Sequence, residues 1–266
     1  MIGKKRITLS KQFVQESWAL ICENKSLYWL PLLNLLVSSI LVLGVVFDVV
    51  WPLVYAGEAH TETVSVLQII IGVILLLLIP LISNVFNATI IFFCHAKINE
   101  EETSLSKAFS KSLKFWPQLL VWSFLQTLVG TILNIIDNGH PTVANFVIDA
   151  FLGAAWALLS FFVMPVMLLE NKNAFSAIKE STGIVREIWG KRAIISLGLV
   201  SLLFFVLLVL GAGGIFLSFN VADEFTPVLL GISIIYLIAV LYTRRLMMTV
   251  VRLKLYLAVK TGAYSH

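Results

Sequence analysis

The chain has 266 residues, of which 59% are hydrophobic and 13% are charged, whereas soluble domains carry about 25% charged residues. This composition excludes an ordinary soluble domain. The net charge is +4, but no basic cluster is interleaved with aromatic side chains as a base-stacking surface would be, so we expect no nucleic-acid partner.

Six apolar segments follow one another along the chain, and each is long enough to cross a membrane as a helix, which takes about 20 residues. They occupy approximately 27–50, 66–95, 116–137, 145–169, 193–219 and 227–249. Strands of a barrel would alternate apolar and polar residues, and these segments do not. The sequence therefore predicts an all-α fold, a polytopic membrane helix bundle in a single domain spanning 1–266. The second and sixth segments are longer than a bilayer requires, so we expect them to tilt or to extend into the cytoplasm.

A shorter amphipathic segment precedes each odd-numbered span, at approximately 8–24, 103–115 and 173–189. In each, apolar residues recur at helical spacing, and Lys or Arg lies on or beside the opposite face. Such helices lie at the level of the lipid headgroups and favour anionic lipid. We therefore predict three repeats, each a cytoplasmic interfacial helix followed by a transmembrane hairpin. The Ala-Phe-Ser tripeptides at 108–110 and 174–176 are interpreted as a trace of this repeat.

The charges alternate along the chain in a way that predicts orientation. All 19 Lys and Arg residues fall at the N-terminus, within 97–114, within 172–192, or from Arg244 onward. The remaining gaps between apolar segments, 52–65, 138–144 and 220–226, contain no basic residue. Because basic loops stay in the cytoplasm, both ends of the chain are predicted to be cytoplasmic.

A polar stripe runs along the third span at helical spacing. It consists of Ser123, Gln126, Thr127, Gly130 and Asn134. One hypothesis is that these residues line a permeation or binding path. The other, which we favour, is that they make hydrogen bonds between helices, which contribute about 0.6 kcal/mol each in membranes.

Three further polar residues within spans are candidates for a site. Asn84 and Asn87 follow Pro80 in the second span, where we favour support of the proline kink over substrate binding. Asp149 lies about one turn inside the fourth span, and an intramembrane carboxylate is a functional candidate for proton or cation handling. Its shallow depth favours simple hydration instead. In the same span, Gly153 and its small neighbours predict a close helix approach.

The sequence shows no catalytic, cofactor-binding or metal-ligating motif of the familiar kinds. The predicted outer loops gather several potential metal ligands, which we interpret as solvated loop residues. These are Glu58, His60, Glu62, Asp137 and His140. Cys22 and Cys94 lack a CxxC spacing, so we interpret them as small buried hydrophobic residues. We therefore expect no cofactor, no metal and no enzymatic activity.

One order of short motifs suggests a family. Phe162–Val166 reads Phe-Val-Met-Pro-Val and is followed by Glu170, then by Ala-Ile-Lys-Glu-Ser at Ala177–Ser181, then by Trp189-Gly190. This order resembles a bacterial family of six-helix membrane proteins of unknown function, over approximately 13–215. The resemblance implies an architecture and a bacterial cytoplasmic (inner) membrane, and it implies no substrate. A short stretch, Leu30–Asn34, is also similar to the sulfate permease of the cysteine pathway.

Two hypotheses for function follow. The first is a non-enzymatic integral inner-membrane protein in envelope organisation, with the bilayer and its anionic headgroups as partners and either another membrane protein or a second copy bound to it. The alternative is a transporter or channel for a small solute or ion, which would use the stripe around Gln126.

Overall fold

The structure, a computed structural model, describes residues 14–47, 65–137, 143–188, 193–219 and 225–262, and every regular element among them is a helix. Six helical segments are long and apolar enough to cross a membrane. They are Lys25–Val45, Val66–Ile98, Trp116–Asn134, Phe151–Leu169, Val200–Ser218 and Thr226–Lys260. This is the make-up of a multi-pass membrane protein, and it confirms the predicted all-α membrane class.

The helices follow the predicted order. They are α1 (14–23), a 3-10 turn (Lys25–Tyr28), α2 (Trp29–Val45), α3 (Val66–Ile98), α4 (Leu105–Leu113), α5 (Trp116–Asp137), α6 (Val143–Leu159), α7 (Val163–Leu169), α8 (Ala174–Ile188), α9 (Ala193–Ser218) and α10 (Thr226–Lys260). Short helices α1, α4 and α8 lie within the segments predicted to be amphipathic.

The second and sixth spans are long, as expected. α3 has 33 residues and α10 has 35, so each extends roughly 50 Å, well beyond a hydrocarbon core of about 30 Å. Large apolar side chains are exposed in the N-terminal half of α3, from Val66 to Leu76, whereas most residues from Asn84 to Ala96 are buried. In α10 the buried residues likewise lie toward the C-terminal end, from Val240 to Tyr256. Burial in both helices is therefore greatest toward their C-terminal ends.

The fourth span differs from the continuous helix predicted at 145–169. It is divided by a turn at 160–162 into α6 and α7. Pro165 explains the division, because its ring would clash with the carbonyl of Phe161 in a continuous helix and because it has no N–H to donate. In the first turn of the new helix α7, Pro165 is tolerated.

The chain divides into two compact units. One is Leu32–Gly183, and the other combines Met1–Pro31 with Ile184–His266. In the first unit α3 packs against α4, α5 and α7, and α5 packs against α6; in the second, α9 packs along α10. The single domain expected over 1–266 stays a prediction.

A close helix approach lies between α9 and α10 in the second unit. A Cβ placed on Gly211 would lie 2.4 Å from Leu237 Cδ2, and one placed on Gly214 would lie 2.7 Å from Ser233 Oγ. A side chain at either glycine would therefore force Leu237 or Ser233 to shift. The approach predicted at Gly153 is not found, since no described atom lies within 4 Å of a Cβ placed there.

Candidate functional site

Polar side chains of the first unit meet between α3 and α5. The Asn84 amide nitrogen donates to Ser123 Oγ at 2.9 Å and to Gln126 Oε1 at 2.8 Å. Asn84 is 4% exposed and Ser123 is fully buried. Both hydrogens of one amide are thus used by the neighbouring helix. We call Asn84, Ser123 and Gln126 the amide cluster.

A second set of polar side chains links α2 to α3. Ser83 Oγ donates to Asn34 Oδ1 at 3.2 Å, and Ser38 Oγ donates to the same oxygen at 3.3 Å. Asn34 is buried, and Ser83 directly precedes Asn84 of the amide cluster. Side-chain hydrogen bonds therefore connect three transmembrane helices, α2, α3 and α5, at one level of α3.

The other predicted candidates do not join the amide cluster. Thr127 Oγ1 donates to Ser123 O within α5, at 3.0 Å, and Asn134 is exposed near the end of α5. Asn87 lies on α3 and is partly exposed. Asp149 belongs to α6, and its side chain lies outside the described residues. The structure thus brings together Asn84, Ser123 and Gln126 and leaves the rest of the polar stripe apart from them.

The break between α6 and α7 is closed by a serine from α8. The Phe162 N–H donates to Ser181 Oγ at 3.0 Å, and Ser181 Oγ donates to Leu159 O at 2.7 Å. Both backbone groups lose helical partners at the turn, and leaving them unsatisfied in an apolar setting is costly. Fully buried Ser181 thus joins the two motif segments, Phe162–Val166 and Ala177–Ser181.

A charged group lies where α7 passes into α8. Lys172 Nζ is 2.6 Å from Glu170 Oε2, and it also hydrogen-bonds Glu180 Oε2. The hydrogen bond to Glu170, followed by that to Glu180, raises the pKa of Lys172 above its ordinary value. Lys172 therefore links Glu170, which follows the Phe-Val-Met-Pro-Val motif, to Glu180 of the Ala-Ile-Lys-Glu-Ser motif.

A buried serine recurs in the same position on α4. Ser112 Oγ lies 3.0 Å from Thr89 Oγ1 of α3 and donates to Phe109 O at 2.7 Å. Ser104 caps α4, and Asn173 caps α8 by accepting from the Ser176 N–H. Ser112 and Ser181 are each eight residues beyond the capping residue of their helix.

The Ala-Phe-Ser tripeptides do not share this position. One begins four residues after Ser104, and the other begins directly after Asn173. The two tripeptides are therefore not equivalent in the two helices, and the buried serine is the better marker of a repeat.

The second unit contains a cavity of about 520 Å³ between α1, α9 and α10. Trp18, Phe204, Tyr236 and Met247 are among the side chains that line it. No motif in the sequence predicts this cavity, because its walls are ordinary apolar residues from three separate segments. The only signal is that α1 presents Val14 and Trp18 on the same helical face.

Potential metal ligands do not form a centre in the described part of the chain, where no group of three or more His, Cys, Asp or Glu residues could hold a metal. Of the loop residues considered above, those at 58, 60, 62 and 140 lie outside the described residues, as does the side chain of Asp137. Cys94 is buried as interpreted. The interpretation of Cys22 as buried is wrong, since Cys22 is exposed on α1, next to buried Ile21.

Comparison with known proteins identifies a family and no function. Residues 87–264 match the model of the family of unknown function DUF6159. No curated protein and no solved structure matches the chain, so the resemblance to the sulfate permease receives no support. The matched region covers more than half of the chain, and it confirms the expected membership of an uncharacterised family. The chain belongs to the family of unknown function DUF6159.

Proposed function

We propose that this chain is a non-enzymatic integral protein of a bacterial cytoplasmic membrane that acts in envelope organisation by holding membrane partners. The amide cluster is the observation that supports this most. A solute path needs polar side chains that face water, whereas the Asn84 amide spends both hydrogens on α5. Polar groups used in this way hold helices together.

We further propose the finer architecture of three hairpins, each preceded by an interfacial helix on the cytoplasmic side. Lys107 and Lys111 of α4 and Lys114 at its C-terminal cap are exposed, as anionic headgroups would require. Lys111 Nζ also lies 4.6 Å from the centroid of the Phe92 ring of α3. This contact supports α4 lying where α3 leaves the apolar part of the membrane.

Tryptophans at the junctions between short helices and spans support a position of these junctions at the membrane interface. Trp29 begins α2 and Trp116 begins α5, and they are 62% and 57% exposed. Tryptophan is enriched at the membrane interface, because its ring is apolar and its N–H is polar. The junctions of α2 and α5 would then mark the cytoplasmic interface, with both chain ends on that side.

Exposed apolar surface supports a role for membrane partners. α9 exposes Leu202, Phe205 and Leu210, among others, while its Val200 and Phe204 are buried. Lipid tails cover such a face in an isolated copy. A helix of a partner protein, or of a second copy, can replace them without loss of apolar contact.

Cysteine accessibility tests the packed bundle against the transport alternative. In a variant with Cys22 and Cys94 replaced by alanine, single cysteines are placed at Ser123, Gln126 and Gly130. Ser65→Cys and Lys107→Cys are the controls, since both residues are exposed and are predicted to lie outside and inside. We expect both controls to react with a water-soluble maleimide from their own side and the three test positions to stay unreacted. Reaction at all three test positions would overturn the proposal in favour of transport.

A further inference from the structure

The cavity of the second unit has walls from three helices. α10 contributes Tyr236, Val240 and Met247, α9 contributes Phe204, and α1 closes one side with Trp18. Glu16 on α1 holds this arrangement by pairing with Lys254 of α10, with Nζ to Oε2 at 3.4 Å. The cavity is therefore part of the packed unit and is bounded on three sides.

The lining restricts what can fill the space. Its surface is almost wholly apolar, so it does not hold ordered water, which needs two to four polar partners. A void of this size would deprive its walls of packing contacts. The lining therefore favours an apolar guest over water.

The size of the cavity favours a chain over a helix. One turn of a 10 Å wide helix takes up about 400 Å³, so 520 Å³ holds little more than a single turn of a partner helix. The volume lies within the range of about 300–1,000 Å³ that is usual for small-molecule pockets. A lipid acyl chain is thin and flexible enough to enter, and it is present in the surrounding membrane.

Positive charge lies beside the cavity. Arg244 is exposed and directly follows Thr243, which lines the cavity. Glu16, the acidic residue of α1 nearest the cavity, is engaged by Lys254. Arg244 thus places a positive charge beside the cavity, while the nearby carboxylate of Glu16 is paired with Lys254.

We propose that this cavity binds one acyl chain of an anionic phospholipid, whose phosphate contacts Arg244. The headgroup assignment uses the topology proposed above, in which Arg244 lies at cytoplasmic headgroup level. The acyl-chain site itself does not depend on the orientation of the protein or on its partners.

Native mass spectrometry of the full chain tests the site. The protein, purified in a mild detergent, is mixed with equal amounts of phosphatidylglycerol and phosphatidylethanolamine of the same chain length. Ala239 lines the cavity, so Ala239→Phe fills it. Ala154→Phe is the matched control, because Ala154 is exposed on α6 in the other unit. We expect the wild type and the control to retain one phosphatidylglycerol and Ala239→Phe to retain it about tenfold less, a loss of 1.4 kcal/mol.

Two variants separate the parts of the proposal. Arg244→Gln is expected to lose the preference for phosphatidylglycerol while still retaining one lipid. Trp18→Phe is expected to remove most of the fluorescence quenching by phosphatidylglycerol with brominated acyl chains, which keeps the test open if Ala239→Phe fails to fold. Equal retention by Ala239→Phe and the control, or quenching that does not depend on Trp18, would overturn the acyl-chain site. Equal retention of both lipids by the wild type would overturn the anionic headgroup, and neither outcome bears on the amide cluster.

Discussion

Ser181 Oγ lies 3.0 Å from the backbone nitrogen of Phe162 and 2.7 Å from the carbonyl oxygen of Leu159. One hydroxyl thus supplies both the acceptor and the donor that the turn between α6 and α7 requires. A proline two residues into α7 is compatible with the span because this side chain is present. The resemblance of the two motif segments to a family pattern therefore has a structural explanation, since the segments are in direct contact.

Ser181→Ala is predicted to destabilise the protein by about 2 kcal/mol, because a buried backbone group without a partner costs about 1–3 kcal/mol. Ser176→Ala is the matched control, since Ser176 is exposed on the same helix. Equilibrium unfolding in mixed micelles measures the free energy of unfolding of both variants. A Ser181 variant as stable as the control would show that the turn has other partners.

Asn84→Leu is predicted to lower the free energy of unfolding by about 1 kcal/mol, because two interhelical bonds of about 0.6 kcal/mol each are lost. Asn134→Leu, at an exposed position of α5, should leave stability unchanged. The same unfolding measurement applies. If the two variants behave alike, the amide cluster does not hold α3 and α5 together.

Gly211→Ala is predicted to destabilise the contact of α9 with α10 by about 2 kcal/mol, because overpacking of a filled contact costs about 1–3 kcal/mol. The added Cβ would meet Leu237 and Tyr236. Gly213→Ala is the control two residues away, where nothing described lies within 4 Å of the new Cβ. Disulfide crosslinking between cysteines placed on α9 and α10 would report their separation, and equal crosslinking in both variants would contradict the prediction.

The ion pairs of Lys172 with Glu170 and Glu180 are predicted to make the stability of the protein depend on pH in the alkaline range. The pKa of Lys172 is raised by Glu170 and Glu180 from an ordinary value of 10.5. Its contribution is therefore fully present below pH 10.5 and is lost as the pH rises through the higher pKa of the folded state. The difference in the free energy of unfolding between the wild type and Lys172→Met should shrink over that range. The same difference for Lys179→Met, at an exposed site, should not change with pH. A difference for Lys172→Met that does not change with pH would show that these ion pairs do not contribute to stability.

The sequence predicted the class and the order of helices well, because apolar length depends on the chain alone. It predicted the extra length of the second and sixth spans for the same reason. The break before Pro165 was not predicted, and which side chain closes the turn depends on the position of α8 in space. Likewise, Gly153 and Gly211 are both small residues within spans, and only the position of the neighbouring helix decides which of them permits a close helix contact.

The candidate site was predictable in part. Ser123 and Gln126 were grouped by helical spacing, yet their partner Asn84 was assigned to a proline kink in another span. Periodicity gives the face of one helix, whereas the pairing of faces is a tertiary property. The cavity beside Trp18 was not predictable, because an apolar wall has the same sequence pattern whether it faces a helix, a lipid or a space.

The two halves of α3 differ in burial, and this has a consequence for evolution. Between Val66 and Leu76 the helix needs only to be apolar, so substitutions among Leu, Ile and Val should be nearly neutral. Beyond Asn84 each side chain meets fixed neighbours, and volume and shape are constrained. The family match begins at residue 87, close to where this burial begins. One continuous helix thus contains a segment in which apolar residues are interchangeable and a segment in which neighbouring side chains limit substitution.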